Sequence, residues 1–368
     1  MVHARLELRV LRARGVGKEL GQFVGEAVRH LIQKRVEQQA WLHEAKAKYD
    51  SGALRSVVDS LASAGRSAYP QLWEEMEGMA HGSQVEFLYI LLMNLQREIR
   101  YFVPEDSERA KYVQKMTSPD MNCTDVSYKG PEGWWLCHNE DGGDAADMNF
   151  LYMLQVKGDH GTFTGLTYAG ELPSSAFGYN SSGLVFTMDG LSPLRLDLEG
   201  VPRNFVSRKL MEAKTMDEAI QTVTRARHSV GHNYNIASIA QEGIDTVSVE
   251  TAPRGLFSIQ AWEDGCSFHA NRYLRIETQQ IPNPSSEHRE KRVQELLPVN
   301  GLDGLLSILS DREDKSWPIF DPHGSGSTYC TVVFDLMQRR VEVYMGNPLE
   351  QACCFSDTLV EKLEASCL

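Results

Sequence analysis

The sequence predicts an α+β fold, a layered body in which sheet packs on sheet and helices clothe the outside, on three observations. Helical periodicity dominates the first hundred residues, alternating strand patterns take over from Cys123, and helical pairs then separate two runs of strands. At 368 residues the chain is long enough to bury a sizeable core.

Residues 3–12, ARLELRVLRA, alternate with period two and predict a strand. From Lys18 the period changes, and Leu20, Phe23, Val24, Ala27 and Leu31 fall on one helical face. Further helices are expected over 54–64 and 84–100, the second carrying Val85, Leu88, Leu91, Leu92 and Leu95. Residues 103–122 are polar, bear two prolines and lack an apolar period, so they read as an exposed connection. Beyond it come CTDVSY, WWLCHN, FLYMLQVKG, GTFTGLTYAG, AFGYN and GLVFTMDG, strands by their alternation, the last two joined by a hairpin-like NSSG turn. Helices return over 202–227, where Pro202 suits a first helical position and Thr215 with Glu218 forms a capping box. The strands YNIASIA, DTVSVET and LFSIQAW follow, then a basic helix near 285–298, then STYCTVVFDL and RRVEVYMG.

A net charge of −13 opposes a phosphate backbone, and the one dense basic run, HREKR at 288–292, is short, so no nucleic-acid partner is expected. The longest apolar run, FLYILLM at 87–93, falls far short of the roughly 20 residues that span a bilayer, so no membrane partner is expected either. The opening MVHARLELRV lacks the apolar stretch of a signal peptide, which points to the cytoplasm. The closing SCL is similar to the peroxisomal address S-K-L without its basic residue, which keeps the peroxisome as an alternative. Seven cysteines are scattered without a CxxC pair or a Cys/His metal spacing, so reduced thiols are expected, with no disulfide frame, no metal and no organic cofactor.

One cysteine has an unusual address. Cys123 opens the first strand after the exposed connection, and CTDVSYKGPEGWWLCHNED reads as a β-hairpin about the turn residues KGPEG. A hairpin symmetric about Glu132 sets Cys123 across from Asp141, so that thiol and carboxylate meet. A carboxylate raises a thiol's pKa, so another base is needed. A free α-amino group, with an ordinary pKa of about 7.7–8.0, would serve if the bond Asn122–Cys123 were cut. The exposed connection then becomes a processing site.

MNCTDV followed by CHNED, with Asp141 eighteen positions after Cys123, resembles the acyl-coenzyme A:6-aminopenicillanic-acid acyltransferase family, a self-processing branch of the N-terminal-nucleophile hydrolases that includes N-β-alanyldopamine hydrolases. The likeness extends to GVGKELGQFVGEAV (15–28), residues 69–99, GYNSSGLVFTMDGL (178–191), residues 201–219, GHNYNIASIAQEGIDTVSVETAP (231–253), FHANRYL (268–274), SSEHREKR (285–292) and VEVYMGNP (341–348). The resemblance implies a four-layer αββα sandwich and self-cleavage into a mainly helical chain, 1–122, and a catalytic body, 123–368, that stay associated as a heterodimer. It implies that Cys123 is the nucleophile, that Asp141 orients the freed amine, and that Asn233, with Asn235 as the alternative match, binds the oxyanion. The family usually carries glycine before the nucleophile; Asn122, among the residues most tolerant of positive φ after glycine, implies slower cleavage.

The function so implied is a cysteine amidohydrolase acting on a small N-acyl amine, a β-alanyl amide such as N-β-alanyldopamine or carcinine being the first to try. Two alternatives stand beside it: an acyl-coenzyme A-dependent N-acyltransferase, in which an amine resolves the same thioester, and an unprocessed binding protein. Trp134 and Trp135 offer a stacking wall for an aromatic substrate, although neighbouring strand residues face opposite ways. Asp125 with Asn139 reads as a hydrogen-bonded pair, His138 as a satisfied structural histidine, and Arg203, Arg208 and Arg289 as solvated helix charges.

Overall fold

The computed structural model describes residues 8–102, 123–143, 145–173, 176–239, 243–322 and 327–360. The connection 103–122 with Asn122, and the terminal SCL, lie outside the described residues.

Strand β1 (Val10–Arg14) leads into a helical layer of α1 (Gly17–Ala27), α2 (Arg29–Gln38), α3 (Ala40–Asp50), α4 (Arg55–Ala68), α5 (Pro70–Ser83), α6 (Phe87–Asn94) and α7 (Gln96–Tyr101). The helices expected over 18–31 and 84–100 are each divided, at Val28 and Leu95, where ψ turns positive and the backbone leaves the helical region. Helices α1 and α5 cross at backbone contact. A Cβ on Gly21 would lie 1.8 Å from the Glu75 carbonyl oxygen, and one on Gly78 2.1 Å from that of Lys18.

Two sheets stack beneath this layer. The larger runs β1, β4 (Leu151–Gly158), β5 (Gly161–Tyr168), β6 (Phe177–Asn180), β7 (Leu184–Leu191), β8 (Gly231–Ser238), β9 (Asp245–Ala252), β10 (Leu256–Ala261). The smaller runs β11 (Gly265–His269), β2 (Cys123–Gly130), β3 (Gly133–Gly142), β12 (Ser327–Asp335), β13 (Arg340–Met345), β14 (Phe355–Thr358). Strand alternation divides the apolar side chains among three cores. Tyr152, Leu154, Tyr234 and Ile236 meet the N-terminal helices, with α8 (Arg203–Leu210) and α9 (Met216–Arg225) in the same layer. Leu151, Met153, Val185 and Ala237 meet Leu136, Val332 and Phe334 of the smaller sheet. On that sheet's far face, Val126, Tyr128 and Cys137 meet α10 (Pro284–Leu296) and α11 (Gly301–Leu309). The order is helix, sheet, sheet, helix: the four-layer αββα sandwich.

Because β1 pairs in parallel with β4, the segment before residue 122 supplies a strand to the larger sheet as well as a helical cover. Thr215 caps α9 by accepting the Glu218 amide at 3.1 Å. No helix among the described residues is long and apolar enough to cross a membrane.

The β2–β3 register differs from the expected one. Gly130 faces Gly133 across a two-residue turn, Pro131–Glu132, so the hairpin is centred between those residues and not on Glu132. Cys123 therefore pairs with Glu140 instead of Asp141, and Asp125 with His138 instead of Asn139. A one-residue slip exchanges the two faces of a strand. Glu140 and His138 come to the thiol's side, and Asp141 and Asn139 turn to the helical side.

Candidate active site

Cys123, Asp125, His138 and Glu140 project from adjacent strands into the space between the sheets and are all buried. The thiol of Cys123 approaches Glu140 Oε2 at 3.4 Å, and His138 Nε2 lies 3.2 Å from the same oxygen. His138 Nδ1 is 2.8 Å from Asp125 Oδ1, while the Tyr168 hydroxyl donates to Glu140 Oε1 at 2.6 Å. Burial, and then the Glu140 carboxylate, push the thiol up to about 12 against the pull of His138, so the sulfur keeps its proton near neutrality. Burial works against charge on His138, yet Asp125, Cys123 and Glu140 around it raise its pKa well above the ordinary histidine value.

A second set fixes the backbone of Cys123. The Cys123 N–H donates to Asn271 Oδ1 at 2.9 Å, and Asn271 is tied in turn to the Gly190 carbonyl at 3.1 Å. Arg289 is 1% exposed, not solvated as its sequence surroundings predict. It reaches from α10 to Asn271 Oδ1 at 2.9 Å, Thr124 Oγ1 at 2.7 Å and the Cys123 carbonyl. The sequence signal was the row Ser285, Ser286, Arg289 on one face of α10, where both hydroxyls accept from the guanidinium. Arg208 is likewise buried, against Glu75 and Glu212, and Arg203 is buried in the same helix. Asp141 lies on the α10 side, where burial lifts its carboxyl to about 8 while Arg289 and Thr328 oppose the shift.

On β8, Asn233 and Asn235 share the face toward the smaller sheet. Asn235 Nδ2 donates to Asp125 Oδ2 at 2.7 Å. Asn233 Oδ1 accepts from Arg275 Nη2 at 2.9 Å and from Ser248 Oγ at 3.0 Å. A guanidinium only donates, which fixes the amide orientation and leaves Asn233 Nδ2 buried without a hydrogen-bond acceptor among the described residues.

Behind these strands His269 stands between Asp189, 3.0 Å from Nδ1, and Glu250, 3.1 Å from Nε2. Against the cost of burial, these two carboxylates raise His269 to about 9. Glu250 also accepts the backbone N–H groups of Leu274, Arg275 and Ile276 at 2.8–2.9 Å, pinning to the sheet the loop that carries Arg275. A cavity of about 250 Å³ opens beside the cluster, lined among others by Asp125, Asn235, His269, Arg275, Trp262 and Phe268. Its aromatic wall is Trp262 and Phe268. Trp134 and Trp135 are not in it: they sit at the turn end of the hairpin, Trp134 beside Lys129 and Trp135 against Tyr128 and Asp335.

Residues 128–350 match the family described as acyl-coenzyme A:6-aminopenicillanic acid acyl-transferase. The acyl-coenzyme A:6-aminopenicillanic-acid-acyltransferase 40 kDa form of Emericella nidulans is 24% identical over 346 residues, covering 91% of each chain. The β-alanyl-dopamine/carcinine hydrolase of Drosophila melanogaster is 23% identical over 372 residues, covering 93% of each. Among solved structures, a Caenorhabditis elegans orthologue of N-acylethanolamine-hydrolysing acid amidase aligns with 58% of this chain and 93% of its own at 12% identity and a TM-score of 0.41. With the family match spanning more than half of its residues, this chain belongs to the acyl-coenzyme A:6-aminopenicillanic acid acyl-transferase family.

Proposed function

We propose that the chain is a self-cleaving cysteine amidohydrolase that works through a thioester on Cys123. The observation that carries the proposal is the double hold on one residue: Cys123 begins a strand, its sulfur contacts Glu140, and its nitrogen is held by an asparagine that Arg289 locks in place. A buried backbone N–H calls for an acceptor in any case, and an asparagine oxygen held in place by a guanidinium would serve equally to receive the freed amine beside the sulfur.

Self-cleavage begins before any amine exists. As Cys123 Sγ attacks the carbonyl carbon of residue 122, its proton passes to Glu140, the carboxylate in contact with it, whose negative charge His138 and Tyr168 support. The proton then goes to the Cys123 nitrogen as the C–N bond breaks, and water opens the thioester to release the thiol and a new carboxylate. The α-amine left behind takes over as base for later turnovers. In those, sulfur adds to the substrate carbonyl, the amine returns the proton to the leaving nitrogen, and water resolves the acyl-enzyme. The unengaged Nδ2 of Asn233 supports its assignment as oxyanion donor over Asn235, whose amide is spent on Asp125.

The hydrolase relative directs the first choice to β-alanyl amines such as N-β-alanyldopamine and carcinine; the cavity is lined by Asp125, two residues along β2 from Cys123, and by Asn235, while Cys123 and Asn233 themselves do not line it. The test is to incubate purified protein with a panel of N-acyl amines, with and without hydroxylamine. Free amine from the wild type, none from Cys123→Ala, and diversion of the acyl group to a hydroxamate support the thioester route. Product that Cys123→Ala releases equally well contradicts it.

A further inference from the structure

The geometry at the nucleophile fits a metal as well as a reaction. Cys123 Sγ, His138 Nε2 and Glu140 Oε2 come from two paired strands, and these atoms all lie within 4.8 Å of one another. Zinc bonds of about 2.0–2.3 Å in a tetrahedron separate N from O by about 3.3 Å and S from O by about 3.6 Å. The corresponding spacings here are 3.2 Å and 3.4 Å.

The surroundings of these atoms match what metal ligands receive in proteins. A ligating histidine normally has its other ring nitrogen on a carboxylate, which fixes the tautomer. His138 Nδ1 rests on Asp125 Oδ1 at 2.8 Å, so that once the proton Nε2 holds toward Glu140 Oε2 is given up, Nε2 presents a lone pair to the cluster. A ligating carboxylate is itself hydrogen-bonded, and Glu140 receives the Tyr168 hydroxyl on Oε1, the oxygen away from the cluster. One thiolate and one carboxylate around neutral imidazole balance the double charge of the cation, with a fourth position open to water. Chain spacing concealed the set, since a hairpin brings together residues fifteen and seventeen positions apart without any CxxC or HxxxH signature.

We propose that Cys123, His138 and Glu140 form a site for a thiophilic divalent cation, Zn²⁺, that reversibly locks the nucleophile. On binding, the thiol proton and the His138 Nε2 proton both leave to solvent, and the sulfur lone pair that would attack an amide is given to the metal. The cavity comes within one side chain of the cluster, since Asp125 lines it and touches His138. The metal site stands on geometry alone, whereas its locking of a nucleophile rests on the amidase proposal.

Cobalt(II) is the probe, added to the full chain and followed by optical spectroscopy, with Zn²⁺ in competition. The expected result is one equivalent of Co²⁺ giving a thiolate-to-cobalt charge-transfer band with the strong visible bands of four-coordinate metal, both removed by Zn²⁺. Cys123→Ser should abolish the charge-transfer band. Asp125→Asn, which keeps the side chain's shape, should weaken Co²⁺ binding by roughly 10–100-fold. Absence of the band, or its persistence at full size and affinity in either variant, overturns the proposal. Because hydrolysis is not the readout, an uncut, inactive protein that gives the band keeps the metal site and defeats the amidase reading, and a self-cut protein without it does the reverse.

Discussion

Replacing His269 with leucine removes the one cation between Asp189 and Glu250 while keeping apolar bulk. The cost follows from the partners left behind. Glu250 keeps three backbone N–H donors, while Asp189, whose carboxyl burial and then Asp125 lift to about 8, loses the imidazole 3.0 Å away and takes up a proton near pH 6 instead of standing as a stranded charge. The roughly 3–5 kcal/mol typical of leaving an uncompensated buried charge is therefore an upper bound here. Independently, His269 raised from 6.5 to about 9 corresponds to about 3 kcal/mol at 1.36 kcal/mol for each pKa step. The sign is that of a base whose folded pKa lies above its unfolded one: the contribution is complete below about 6.5 and lost as pH rises through about 9. On the acid side Glu250, which His269 and the loop amides hold at about 2 against its burial, contributes fully above its ordinary value of 4.5 and loses that contribution as pH falls from there through about 2. The assay is urea unfolding of His269→Leu and its parent, both carrying Cys123→Ala so that a single chain unfolds, over a series of pH values. The account predicts a gap of about 3 kcal/mol near pH 6 that shrinks as pH rises through about 9. No gap near pH 6, or one that widens with pH, refutes the reasoning.

Three further outcomes follow from the same geometry. Asn233→Ala should lower kcat for amide hydrolysis by roughly 10²–10³-fold with little change in KM, whereas Asn235→Ala, which loosens Asp125, should leave most of the rate; steady-state kinetics on the self-cut enzymes separates them. Glu140→Gln should slow self-cleavage, read by timed electrophoresis of fresh protein, yet spare much of the hydrolysis once Cys123 is exposed by an engineered protease site, because the amine is then the base. Gly25→Ala puts a Cβ 2.4 Å from the Met79 carbonyl oxygen and forces α1 from α5, so unfolding should register a loss of about 1–3 kcal/mol.

The layer order was legible because strand alternation and helix periodicity are local: Tyr234 and Ile236 against Ala237 already state two faces of β8. The hairpin about Pro131 was legible as a hairpin but not in register. A two-residue and a longer turn are equally compatible with KGPEG, and the choice moves every partner by one. That single step placed Asp141 beside the thiol in place of Glu140, and it turned His138 away from the cluster it joins. Arg289 was hidden for another reason. A basic run reads as solvated charge unless it is known that Asn271, Thr124 and the Cys123 carbonyl, all distant in sequence, converge on one guanidinium. The pinning of loop 274–276 by Glu250 depends on backbone amides and leaves no mark in side-chain chemistry.

The central claim is that Cys123 becomes an N-terminus, and the intact mass of the purified protein under denaturing conditions tests it most directly, with Cys123→Ala alongside. The account predicts two fragments from the wild type, one beginning at Cys123, and a single chain of full mass from the variant. One uncut chain from both would contradict it and leave Cys123 a buried structural thiol.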